Sequence, residues 1–251
     1  MNAFYVGGII GFGPALFLIW FSLRKYSYPY VEGSLFEDRK VFFLLAVGMV
    51  AGTFLFTLER FLYPFFVIEE SVSLFMFILI YVLAFPFLED IFKFVVINYK
   101  GYQGRFDSTF YGLALGAGYS ATAILGYVII EMARADSSLI TIAPESWIGL
   151  IFFSACTALI HCSVGATLGN STGKNLGLRG MIPALIPHMA FNLLMFPWFV
   201  YGQLWYSLII VIPFSVLVFH NVYTHIIPES LPPEIQKEMR RNIRKRIEKR
   251  Q

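Results

Sequence analysis

Apolar segments about as long as a bilayer is thick recur along this chain. They lie at roughly 4–23, 41–62, 71–97, 108–130, 147–170, 181–199 and 205–224. About 20 helical residues span the hydrocarbon layer at 1.5 Å each. Within that layer every backbone polar group must be satisfied inside the chain, which leaves helices or a closed barrel. Segments this long and this continuously apolar are helices, so the expected fold is an all-α polytopic transmembrane bundle of seven spans. Composition agrees: 57% of residues are hydrophobic and 14% charged, where soluble domains carry about a quarter charged. That leaves no room for a soluble domain of any size, and no nucleic-acid partner is expected. Phe4–Leu23 has no basic residue before it and Arg24-Lys25 after it. This is the reverse of a secretory leader, so it reads as a retained first span. Cys156 and Cys162 fall six apart in one apolar segment and cannot bridge within a straight helix.

Lys and Arg predict the orientation. Alternate connections and the C-terminal tail hold 16 of them, among them Arg24, Lys25, Lys100, Arg105, Lys174 and Arg179; the opposite set holds Arg60 and Arg134. The N-terminus is therefore expected outside and the C-terminus inside. Residues 1–230 read as one transmembrane domain with its site region at 71–199, and 231–251 as a basic cytoplasmic tail. In that tail Ile235, Met239, Ile243 and Ile247 recur every four residues. The pattern suits a helix lying on anionic lipid headgroups, or a solvated anchor.

Against this background a few polar residues stand out, because ionisable groups at membrane depth persist mainly where they pair, line a wet cavity or do chemistry. They are Glu89-Asp90 with Lys93, Asp107, His161, and His188 with Asn192. Glu89 lies eight residues before the end of its segment, His161 nine before the end of its own, and His188 seven after a start. With the predicted topology all three sit roughly 10–14 Å below the inner surface. One site opening toward the cytoplasm is expected, with Asp107 at the inner start of the fourth segment. Glu89 and Lys93 share a helix face, as do His188 and Asn192. His161, Gly165 and Gly169 form a stripe, and Gly112, Gly116 and Ala123, with Gly118 alongside, a second small-residue face suited to close helix approach.

The set has what hydrolysis needs: a base for water and donors for an oxyanion. Glu89 can take a proton from water that His161 polarises, and His188 and Asn192 can donate to the oxyanion. Asp90, Lys93 and Asp107 are supporting groups. Glu89, His161 and His188 are also the ligand types of a two-histidine, one-carboxylate zinc site. The single-helix H-E-x-x-H signature is absent, and residue types alone leave metal-activated and glutamate-activated water both open.

With these residues in place, the chain resembles the PrsW family of intramembrane proteases, whose wider clan includes the type II CAAX prenyl proteases. Glu89-Asp90-Ile91-Phe92-Lys93 is similar to the family's E-E-x-x-K. Asp107, Tyr111, Gly112, Gly116 and Gly118 follow its second motif, with Tyr119-Ser120 where Phe-Ala is usual. His161 with Gly169 follows the third, and His188 with Asn192 the fourth. The likeness covers about residues 85–195. It implies an integral protein of a bacterial or archaeal cell membrane that hydrolyses peptide bonds in or near the bilayer. Its substrates would be membrane-embedded proteins, such as an anti-sigma factor or a lipidated peptide. It also implies that Glu89 and His161 activate water while His188 and Asn192 form the oxyanion hole. The chain departs from the pattern where motif two ends in Glu-Asn: Ala123-Ile124 stand there. The alternatives are an inactive relative that binds membrane proteins or lipids as a scaffold, and a small transporter.

Overall fold

The computed structural model describes residues 3–28, 30–66, 74–138 and 144–248. These are helical almost throughout, with no strand among them. The first helices are α1 (Ala3–Leu23) and α2 (Asp38–Phe66). A continuous helical stretch then runs through α3 (Leu74–Phe77), a π-helical turn (Ile78–Ala84) and α4 (Phe85–Ile97). Next come α5 (Ser108–Ser138), α6 (Pro144–Gly173), α7 (Met181–Leu194), α8 (Phe196–Tyr201) and α9 (Leu204–Asn221). A second π turn (Val222–Ile226), α10 (Ile227–Ser230) and α11 (Pro233–Glu248) close the chain.

Among the described residues, six helices are long and apolar enough to cross a membrane: Phe4–Tyr26, Asp38–Leu62, Ser108–Ala133, Ser146–Gly173, Gly177–Tyr201 and Leu204–Ser230. The third expected segment, 71–97, is helical from 74 onward, and its first residues lie outside the described ones. It is not among the six. Its last turns carry Glu89, Asp90 and Lys93. Large apolar side chains cover the outside of the bundle, Val50, Phe54, Ile209 and Leu217 among them, as a lipid-facing surface requires.

Helices α5 and α6 form the centre. In their apolar stretches 67% and 72% of residues are buried, against 39% or less in the other four spans. Glycine sets this. Gly112 meets the Gly165 backbone, Gly116 the His161 carbonyl and Gly169 the Ser108 carbonyl, so the two helices run antiparallel at backbone contact. The opposite face of α5 packs on α2, where Gly118 meets Leu45, and Gly48 and Gly52 meet Leu115 and Tyr119. The small-residue stripes are thus packing surfaces, although Ala123 is outside the seam and lines a cavity instead. Two buried hydroxyls tie the layers together: Thr122 Oγ1 donates to the Met49 carbonyl at 2.8 Å and Ser154 Oγ to that of Ile10 at 2.6 Å.

The tail helix α11 turns back on the bundle. Met239 is buried in the main core, Ile235 packs against it, and Asn242 Nδ2 donates to the Tyr30 carbonyl at 3.4 Å. This part of its apolar stripe is covered by the chain itself; the side chains of Ile243 and Ile247 lie outside the described residues.

Candidate active site

Three helices bring the polar outliers together. Glu89, Asp90 and Lys93 lie within four residues on α4, His161 is on α6, and His188 and Asn192 are one turn apart on α7. Lys93 is fully buried with its ammonium 2.9 Å from Asp90 Oδ1 and 3.1 Å from His161 Nδ1. It also lies 4.5 Å from the centre of the Tyr119 ring, whose π face favours a cation. His188 Nδ1 is 3.0 Å from the same Asp90 oxygen. Asp90 is therefore the structural anion of the cluster, holding Lys93 on one side and His188 on the other.

Glu89 is placed differently. Its Oε2 lies 3.6 Å from Lys93 Nζ, 3.7 Å from His161 Nδ1 and 3.7 Å from His188 Nε2. These are ion-pair distances, too long for direct hydrogen bonds. The oxygen is buried and has no hydrogen-bond partner among the described residues. Three nitrogen-bearing groups converge on an acceptor that remains available to whatever enters beside it.

Donor logic fixes the imidazoles. An ammonium only donates, so His161 Nδ1 accepts from Lys93 and its proton is on Nε2. His188 directs Nδ1–H at Asp90, as the carboxylate can only accept, and its Nε2 faces Glu89. The rings of His161 and His188 meet edge to face at 4.8 Å. Asn192 Nδ2 donates to the Tyr81 carbonyl at 2.7 Å, which fixes the amide's orientation and leaves its second N–H.

Glu89, His161 and His188 form the floor of a cavity of about 810 Å³, counting its open mouth. The remaining walls all lie to one side of that floor. Ala123 and Tyr127 continue up α5, Thr157 and Phe153 back along α6, and Phe199 lies beyond α7. This is the end of the bundle away from Lys100, Arg105 and Lys174. The expected opening toward the basic face is thus corrected: backbone contact along the glycine seam and the packing of Phe110 and Leu113 fill the bundle on that side.

Asp107 does not join the cluster. Arg105 grips it through Nε at 2.9 Å and Nη2 at 2.6 Å, and Tyr111 donates to it at 3.0 Å. It locks the start of α5, about 13 Å along the helix from the level of Gly116 and His161. A residue that the sequence reading passed over joins instead. Glu59 of α2 lines the cavity and faces Glu89 within side-chain hydrogen-bonding reach. Its Oε1 is buried without a hydrogen-bond partner among the described residues. The missing signal was context: Glu59-Arg60 stand near a segment end, where charges are ordinary. Arg60 also borders the cavity, its guanidinium 5.2 Å from the Phe56 ring and 5.6 Å from that of Tyr127. Cys156 and Cys162 are buried, free and not part of the cavity wall.

As metal ligands, Glu89, His161 and His188 present atoms within 4.8 Å of one another. The Lys93 ammonium, however, already stands 3.1 Å from one of these residues and 3.6 Å from another. A divalent ion among them would face this cation at close range, so the set does not fit a metal while Lys93 keeps its proton and position. Compared with models of protein families, with curated proteins and with solved structures, the chain gives no match.

Proposed function

We propose that this protein is an intramembrane endopeptidase that cleaves membrane-associated protein substrates with water activated by Glu89. One observation carries the reading. A carboxylate oxygen without a hydrogen bond sits among two histidines and a lysine, on the floor of a cavity inside a bundle of membrane-crossing helices. The resemblance to PrsW-type proteases assigns roles to the same residues.

In this reading water enters beside Glu89 Oε2, which takes its proton, while His161 Nε2–H orients the water oxygen. The water oxygen bonds to the peptide carbonyl carbon as the C=O double bond opens to a tetrahedral oxyanion. Asn192, through its remaining N–H, and His188, held by Asp90, stabilise it. The proton on Glu89 then passes to the leaving amine, and the C–N bond breaks. Lys93 keeps the buried carboxylates paired. With the predicted orientation the cavity mouth lies toward the outer face, which suits a substrate cut near that surface.

The test is to incubate the purified protein in proteoliposomes with single-span peptide substrates, among them an anti-sigma-type segment and a lipidated peptide. Glu89→Ala and His161→Ala should abolish cleavage while leaving the helical content intact. Cleavage that survives both substitutions overturns the assignment. Chelator should leave the rate unchanged.

A further inference from the structure

The π turn between α3 and α4 is followed by a proline. In a π helix the carbonyl of residue i accepts from the N–H of residue i+5. Five residues after Tyr81 stands Pro86, the second residue of α4, which has no N–H to give. Pro86 therefore cannot donate to the Tyr81 carbonyl, which accepts from Asn192 Nδ2 at 2.7 Å. Side-chain packing holds the turn there. The Tyr81 ring stacks on Phe199 at 5.5 Å and meets Phe85 edge-on at 5.3 Å. Tyr81, Phe85, Asn192 and Phe199 all border the cavity.

We infer that the Tyr81 carbonyl, to which Pro86 cannot donate, is the positioning group that aims Asn192 into the cavity. This rests on the reading of the site as a hydrolase. A carbonyl accepts only from the NH2 end of the amide, so the bond selects one of its two flip states. It also immobilises Cγ–Nδ2, so that the second N–H has one direction. A flexible asparagine would have to be ordered at the moment the oxyanion forms; here the ordering is built in. Pro86 acts through the Tyr81 carbonyl, and that carbonyl through Asn192.

Pro86→Ala restores an N–H that competes for the Tyr81 carbonyl. It should lower kcat about 10-fold, the lower end of what losing an orienting partner costs, with KM changed less than twofold. Asn192→Ala should lower kcat about 10²-fold or more, and Pro86→Ala placed on top of it should add nothing. Selective 15N labelling of asparagine gives a readout independent of turnover: the Asn192 side-chain NH2 signals should shift in Pro86→Ala. Additive losses in the double variant, or unmoved Asn192 signals in Pro86→Ala, overturn the inference. If the wild type cleaves nothing, the shifted signals uphold the inference and the hydrolase reading alone falls. Should Pro86→Ala not accumulate, Asn192→Asp breaks the same bond from the other side. Faster amide exchange across 78–85 in that variant supports the inference, and unchanged exchange overturns it.

Discussion

At the start of α5, Asp107 has both carboxylate oxygens engaged: Oδ1 accepts from Arg105, and Oδ2 from Arg105 and Tyr111. Deeper in the bundle, Glu89 and Asp90 each keep one buried oxygen with no hydrogen-bond partner among the described residues. Both regions join carboxylates to a cation and lie against the same helix. The first saturates its acceptors, borders no described cavity and includes a half-exposed arginine. The second leaves acceptors open, beside a cavity, around a lysine with no exposure. Full satisfaction marks a lock that holds a helix end, whereas Glu89 keeps a buried acceptor at the cavity floor.

The largest expected effect separates the two directly. Glu89→Ala or His161→Ala should lower cleavage of a single-span substrate by about 10³-fold or more, whereas Asp107→Asn should leave the rate within twofold. A loss of similar size in Asp107→Asn would erase the distinction. Next, Lys93→Met should destabilise the fold by roughly 3–5 kcal/mol, because it strands a buried charge. Thermal unfolding in detergent would measure this, and Asp90→Asn added to Lys93→Met should recover part of the loss. Glu59→Gln should lower the rate about 10-fold, the cost of losing a neighbour that tunes an active group, with no loss of thermal stability. An unchanged rate would return Glu59 to the role of a wall residue. At the lock, Asp107→Asn should cost no more than about 1 kcal/mol, because Arg105 is half exposed and its pair is screened.

The smallest effect concerns pH. Glu37, exposed at the same end, has its carboxyl held below the usual range, first by its hydrogen bond to Lys40 and then by the charges of Lys40 and Arg105. Its folded value is lower than its unfolded one, so folding favours the ionised form. The contribution is complete above the ordinary carboxylate range and fades as pH falls through the lowered value. The melting temperature of wild type should exceed that of Glu37→Gln slightly at neutral pH, and the gap should close in acid and in high salt.

Much of the site was legible because its surroundings are so apolar. In a chain of Leu, Phe and Val, a buried Glu or His is conspicuous, and i,i+4 spacing paired His188 with Asn192 before any coordinates. The helical segments were legible for the same reason. Three things were not. Glu59 looked like an ordinary end-of-segment charge, because proximity between α2 and α4 depends on tertiary packing. The direction of the cavity depends on which side chains fill the bundle on either side of the floor, and depth along a helix carries no information about that. Asp107 matched a motif, but its nearest partner was Arg105, two residues away. A local ion pair had already used it.

The seam between α5 and α6 bears on how this molecule is assembled. These helices follow each other in the chain, so their contact closes a short loop and carries little entropic cost. One of their tightest approaches, where a methyl on Gly116 would lie 2.0 Å from the His161 carbonyl, thus joins helices adjacent in the chain. Once that hairpin closes, His161 has its position. Alanine at Gly116 would therefore act during biogenesis: less protein would reach the membrane in a protease-resistant form, even where the helices themselves still form.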